Sequence, residues 1–377
     1  MRRVTRTVFL FFNGLHQLYH TAGTAMETGR MAGPGHQVLC LSCNRLHTEA
    51  LERVRELFPG TAAEIVEIPQ PFRYRHLNLK GKLYPSVNAM VRRARRILRD
   101  ADAVVTTSHG TPGIFGKHGI TGPRIIYQYH GCGDRSYGFE KGFRRMDMML
   151  LPGEYHLQRL RDEGILHDMP WKIVGWPKFD ITSGYTGKPF PNGNPALLYC
   201  PHWEPGLTSY NAFSRWILEY FRHRTDMNLI FAPHLLVKHW RVHHGYEVFR
   251  QEDQGDNVII DYGSTRAVDG TWLRAADFYA GDVSSMVYEF IAVKPRPCVF
   301  LNAHGVKWRG ERNYRFWEYG PVADDTSELE AILNELPSSD DSCLALQRER
   351  IPMYFHITEK PSSRRAAEAI LEYLEGI

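Results

Sequence analysis

Short apolar runs alternate with amphipathic stretches through the first half of the chain, the pattern of parallel strands joined by crossover helices. Strands are expected at Thr7–Phe12, Gln37–Ser42, Ala63–Ile68, Ala103–Thr107, Arg124–Tyr129, Met148–Leu151 and Lys172–Val174. Helices are expected near Thr48–Leu57 and Tyr84–Arg99, the second with Val87, Met90, Val91, Ala94, Ile97 and Leu98 on one side. Around Thr182–Pro195 the chain turns to Gly, Pro, Asn, Thr and Lys without apolar periodicity, which marks a linker. A second series follows, with strands at Ala196–Cys200, Leu229–Ala232, Val258–Asp261, Phe278–Ala280 and Pro297–Leu301. Its helices are Tyr210–Arg222, Thr271–Ala275, Ser285–Ala292 and Ser327–Glu335, and a charged amphipathic helix at Ser362–Tyr373 closes the chain. The pattern predicts an α/β protein of two Rossmann-like, doubly wound domains facing across a cleft. They cover residues 1–182 and 183–360, with a C-terminal helix in 361–377. The length of 377 residues agrees, because one hydrophobic core stops growing at about 250–300 residues.

Doubly wound sheets bind ligands beyond the carboxyl ends of their strands. The informative residues are therefore those that follow a strand. After the fifth strand comes Tyr129-His130-Gly131-Cys132-Gly133-Asp134. A histidine there is either a general base, with a pKa near working pH, or a turn residue satisfied by hydrogen bonds. Pro233-His234 follows the second strand of the second series, with Lys238 and His239 one turn later. These groups suit a phosphoryl oxygen or form a solvated histidine-rich loop. The strongest local signal is Phe278-Tyr279-Ala280-Gly281-Asp282-Val283-Ser284-Ser285, a strand and tight turn opening an apolar helix. Free N–H groups and serine hydroxyls at a helix start make an anion site. Glu289, one turn on, suits ribose hydroxyls, and Asp282 or Ser284 equally suits a helix cap.

Composition narrows the classes. A hydrophobic share of 43% and a charged share of 23% are those of a folded protein, not a disordered one. The net charge of +4, with 18 histidines neutral, is too small to point to nucleic acid. Arg92, Arg93, Arg95, Arg96 and Arg99 crowd one helix, which reads as a solvated face or as peripheral contact with an anionic membrane surface or a polyanionic acceptor. The run Val8–Phe12 stops at Asn13-Gly14, too short for a signal segment or a membrane span. Six scattered cysteines fit a reducing cytoplasm, and Cys40-x-x-Cys43 has no second ligand pair. Neither H-E-x-x-H nor paired Cys/His spacing occurs, so no metal or other cofactor is expected.

Taken in order, these segments resemble the CDP-glycerol glycerophosphotransferase family of teichoic-acid-type polymer synthesis. The resemblance lies in Tyr129-His130-Gly131, Gly175-Trp176-Pro177-Lys178-Phe179-Asp180, Leu198-Tyr199-Cys200-Pro201-His202-Trp203, Phe231-Ala232-Pro233-His234 and Ala276-Asp277 through Asp282-Val283-Ser284-Ser285, across roughly residues 125–330. It implies glycosyltransferase-B architecture and transfer of an alditol phosphate from a CDP-alditol to a hydroxyl of a lipid-linked or glycan acceptor. It implies His130 as base, with His234, Ser284 and Ser285 neutralising charge on the diphosphate. Gly131, His202 and Asp282, together with Glu289 and Lys238 from the strand-end reading, complete the expected donor site. His202 stands where the family has Thr, and Glu204 where a basic residue follows the Trp. Lys178 replaces Arg and Val283 an aromatic residue. These departures leave the transferred group open among glycerol, ribitol, another alditol and a sugar. The other readings are a nucleotide-sugar glycosyltransferase, a nucleotide-sugar 2-epimerase and a non-catalytic nucleotide- or polymer-binding protein.

Overall fold

The structure is a computed structural model that describes residues 4–71, 85–166, 168–182, 187–336 and 341–376. The chain divides into two compact units. The first takes the residues up to His130, Phe139–Ser183 and the stretch from Met353 onward; the second takes Gly131–Gly138 and Gly184–Pro352. Two short pieces thus belong to the unit that their place in the sequence does not suggest.

The first unit holds a seven-stranded sheet of β1 (Thr5–Phe11), β2 (His36–Ser42), β3 (Glu64–Glu67), β4 (Ala103–Thr106), β5 (Arg124–Gln128), β6 (Met148–Leu151) and β7 (Trp171–Ile173). Their order is β3-β2-β1-β4-β5-β6-β7, with every pairing parallel. The second unit holds β8 (Ala196–Cys200), β9 (Asn228–Phe231), β10 (Val258–Ile260), β11 (Phe278–Gly281), β12 (Cys298–Leu301) and β13 (Val322–Ala323). Their order is β10-β9-β8-β11-β12-β13, again all parallel. Each sheet reverses direction of growth once, between β1 and β4 in the first and between β8 and β11 in the second. These are the switch points at which doubly wound sheets take ligands.

The expected strands are all present, with ends shifted by one or two residues. They were legible because a parallel sheet is covered on both faces, so its strands are continuous apolar runs. All of β4 and all of β8 are buried. The short edge strand β13 was not expected.

The main departure is a helix at Leu15–Met31 that the hydrophobic pattern did not mark. It is buried over most of its length, so it lacks a polar face, and it carries Gly23 and Gly29 in its interior. Interior glycine costs a helix about 1 kcal/mol relative to alanine. Here close packing offsets that cost. A Cβ on Gly23 would lie 2.4 Å from the Ser363 hydroxyl, and one on Gly29 would lie 2.5 Å from the Ala63 backbone nitrogen. Ser363 belongs to the closing helix Ser362–Glu375, which packs on Leu15–Met31 inside the first unit.

The Gly175–Asp180 segment docks that same closing helix. Trp176 N–H donates to the Ser362 hydroxyl at 3.0 Å, and the Asp180 carboxylate accepts from the Ser363 N–H at 2.5 Å and the Ser362 N–H at 3.3 Å. Asp180 therefore works as an N-terminal cap supplied from elsewhere in the chain.

The arginine-rich helix runs Val87–Arg99 and starts at Ser86, whose hydroxyl accepts the Ala89 N–H. Tyr84, expected as its first residue, lies outside the described residues, as do residues 183–186 of the linker. Arg92, Arg93, Arg95 and Arg96 are exposed, opposite a buried face of Met90, Val91, Ala94 and Leu98. Among the described residues no helix is long and apolar enough to cross a membrane. Cys40 and Cys43 are buried, and burial pushes both thiols up to about 12.

Candidate functional site

At the switch point of the second sheet, Gly281 of β11 pairs with Cys200 of β8, so the two following segments leave the sheet side by side. Asp282 is the hub between them. Its carboxylate accepts the His202 N–H at 3.0 Å, the Ser209 N–H at 2.7 Å, the Ser209 hydroxyl at 2.9 Å and its neighbour's Val283 N–H at 2.7 Å. Burial pushes its carboxyl pKa up, against the pull of these donors. Asp282 neither caps the following helix nor offers an oxygen to solvent, being 1% exposed. It fixes the loop from Pro201 to Ser209, and Ser284 supplies the cap instead, accepting the Met286 N–H at 3.3 Å.

Two histidines at this edge are set in one tautomer by the same local device. The Glu204 N–H donates to Nδ1 of His202 at 3.1 Å, and the Leu236 N–H donates to Nδ1 of His234 at 3.2 Å. Burial lowers both pKa values to about 3, with Arg135 adding to the effect at His202 and His202 adding to it at His234. Both rings are neutral near pH 7. With Nδ1 accepting, each carries its proton on Nε2. The rings are 5.9 Å apart between centroids, and the His234 N–H donates to the Pro201 carbonyl at 3.0 Å. The loops after β8 and β9 thus present a pair of imidazole N–H donors.

Ser284 and Ser285 are half-buried at the start of the helix Met286–Val293, and the Ser285 side chain makes no cap of its own. Glu289 lies in the first turn of that helix and is 4% exposed. The segment Gly131–Gly138, which follows His130 in the chain, packs here. A Cβ on Gly131 would lie 3.8 Å from the Ser285 hydroxyl, Gly133 lies against the Tyr288 ring, and Asp134 accepts a short hydrogen bond from the Tyr288 hydroxyl. Ser136 N–H donates to Asn313 at 2.9 Å. Between these anchors, Arg135 reaches His202 Nε2 at 3.4 Å through Nη1 and Glu204 at 3.6 Å through Nη2.

Lys238 is placed differently from the expected histidine-rich loop. It sits on a helix, Leu236–His244, and its ammonium lies over the Tyr262 ring at 5.7 Å. This helix was illegible because Lys238, His239, Trp240, Arg241, Val242 and His243 are all exposed, leaving only Val237 buried.

In the first unit, His130 follows β5, adjacent to β4. Its ring bonds to the Thr107 carbonyl at the end of β4, and its Nδ1 is buried without a partner among the described residues. Burial lowers its pKa to about 4, opposed by the Thr107 carbonyl. The ring lies 6.4 Å from that of His20, which packs edge-on against Trp176 at 4.9 Å. His20 escaped the sequence reading because it lies inside the unrecognised helix.

No family model matches the chain, and no curated protein does. Solved structures do. The wall teichoic acid polymerase TagF superposes with a TM-score of 0.63 at 14% identity, covering 100% of this chain and 90% of that one. MnaA from S. aureus, in a co-structure with UDP, gives 0.62 at 13% identity over 99% and 98%. The calicheamicin glycosyltransferase CalG4 gives 0.57 at 15% identity over 100% of both chains. The fold is of the glycosyltransferase-B type, with two Rossmann-like α/β units. At such identities the likeness is one of fold.

Proposed function

We propose that the protein is a transferase that moves an alditol phosphate, such as glycerol phosphate, from a CDP-activated donor to a hydroxyl of a cell-surface glycan or lipid-linked polymer. The observation that carries this reading is that His202 and His234, 5.9 Å apart, follow β8 and β9, with the His202 N–H held by Asp282 next to Ser284 and with Gly131 beside Ser285, all at the strand-end edge of the second sheet. That set suits a diphosphate. The fold likeness adds support, because TagF has been solved after a soak with CDPG and MnaA with UDP.

In the proposed reaction an acceptor hydroxyl gives its proton to Nδ1 of His130 as its oxygen attacks the donor's β-phosphorus. The bond from that phosphorus to the bridging oxygen breaks, and CMP leaves with the electron pair. His234, Ser284 and Ser285 donate hydrogen bonds to the charge gathering on the diphosphate. Glu289 accepts from ribose hydroxyls and Lys238 adds positive charge at the donor side. Asp282 is a positioning residue in this scheme. The exposed arginines of Val87–Arg99 provide peripheral contact with an anionic membrane that carries the acceptor.

A nucleotide-sugar glycosyltransferase is the second reading, favoured by the likeness to the glycosyltransferase CalG4 and to MnaA, which was solved with UDP. A thermal-shift panel of CMP, CDP, UDP, GDP and CDP-glycerol separates the donor classes, because at equal concentration the tighter ligand stabilises more. Cytidine diphosphate compounds are expected to raise Tm most. A larger shift with UDP would favour the nucleotide-sugar reading.

A further inference from the structure

The contact between Arg135 and His202 has an internal conflict. His202 Nδ1 is occupied by the Glu204 N–H, so Nε2 carries the ring proton and faces the Arg135 guanidinium, another donor, at 3.4 Å. Two N–H groups cannot hydrogen-bond to each other. They can share an acceptor, and an anionic oxygen satisfies both at once. Resting on the reading above, we propose that Arg135 and His202 together grip a phosphate oxygen of the nucleoside diphosphate, and that Glu204 holds the guanidinium in place until the donor arrives.

Three further features support the assignment. The residues on both sides of Arg135 are tied down, the Asp134 carboxylate accepting from the Tyr288 hydroxyl and the Ser136 N–H donating to Asn313, so the guanidinium is carried on a fixed segment. Such preorganisation lowers the ordering cost of binding. The side chain keeps 35% of its surface exposed, which leaves guanidinium N–H groups accessible to a ligand. Finally, His202 and His234 are neutral donors, so a multiply charged diphosphate needs a permanent cation beside them. Arg135 supplies it, and its planar fork matches phosphate geometry better than an ammonium does.

The Glu204 contact, at 3.6 Å between partly exposed groups, is weak enough to be exchanged. Once phosphate is bound, the Glu204 carboxylate becomes a like charge nearby. It therefore limits affinity and favours release of the spent nucleotide.

Calorimetric titration of the full chain with CDP, UDP, pyrophosphate, cytidine and uridine tests the proposal. Arg135→Ala is expected to weaken binding of the diphosphates by about tenfold or more, with nucleoside binding unchanged. Arg135→Lys should recover part of the loss, and Glu204→Gln should tighten diphosphate binding about twofold or more. Arg135→Gln, which removes the charge but keeps a polar N–H-bearing group on a shorter side chain, is the second variant if alanine costs the fold. A smaller loss in both charge-removing variants, or a matching loss of nucleoside affinity, overturns the proposal. Unchanged or weaker diphosphate binding by Glu204→Gln overturns the part given to Glu204. A wild-type preference for UDP over CDP defeats the CDP-donor reading and leaves the Arg135 site standing. A wild-type protein that binds no diphosphate defeats both.

Discussion

Alanine at His130 or at His234 is expected to lower kcat/KM by roughly 10²–10⁴-fold, the range for loss of a general base or of a preorganised donor to developing charge. The two losses should differ in how they are rescued. In the proposed reaction His234 donates through Nε2–H, because Nδ1 accepts the Leu236 N–H. Glutamine places an amide N–H near that position, so His234→Gln should retain more activity than His234→Ala. In the proposed reaction His130 is a base through Nδ1, with its other nitrogen held by the Thr107 carbonyl. An amide cannot take up a proton at neutral pH, so His130→Gln should be as poor as His130→Ala. The pH profile follows from the same burial. A base is active above its pKa, and His130 has been lowered to about 4. The rate should therefore stay flat from about pH 8 down to about pH 5.5, where an ordinary histidine would already be mostly protonated. Steady-state kinetics across that range checks this; an acid limb near pH 6.5 that vanishes in His130→Ala would rule out the buried neutral base.

The largest stability effect is expected at Asp282. Truncation to alanine leaves the N–H groups of His202, Ser209 and Val283 and the Ser209 hydroxyl without their shared acceptor in a buried place. Breaking a buried charged hub of this kind costs about 3–5 kcal/mol. In a unit of this size that corresponds to a fall in Tm of roughly 10 °C. Asp282→Asn should be nearly as damaging, since one of its two acceptors becomes a donor facing other donors. Differential scanning calorimetry reads the effect, and an unchanged Tm in both variants would show that Asp282 does not organise the loop.

Much of the fold was legible because parallel strands buried on both faces leave continuous apolar runs, and Ala196–Cys200 or Met148–Leu151 can hardly be read otherwise. Leu15–Met31 was illegible for a complementary reason. Buried nearly all round and built with Gly23 and Gly29, it shows neither an amphipathic stripe nor helix-forming composition. The same holds for Leu236–His244, whose exposed face mixes Trp240 and Val242 with cations.

His130, His234 and Ser284 were singled out by a topological rule, because each follows a strand, whereas His202 entered through the family resemblance. Arg135 was not singled out, because its meaning depends on a loop from the first half of the sequence packing inside the second unit. No local pattern signals that. Asp282 was found for the wrong reason: it reads as a helix cap in sequence, whereas its acceptors are turned back toward the loop after β8. The role of Gly175–Asp180 was likewise hidden, since its partner Ser363 lies far along the chain.

The measurement that bears most directly on the proposed chemistry is product identification. The purified protein is incubated with CDP-glycerol and a hydroxyl-bearing glycan acceptor, and the released nucleotide and the new linkage are assigned by mass spectrometry and phosphorus NMR. Release of CMP with formation of a phosphodiester in equal amount is expected. Release of a nucleoside diphosphate from a nucleotide sugar, with a new glycosidic bond and no CMP from CDP-glycerol, would contradict it.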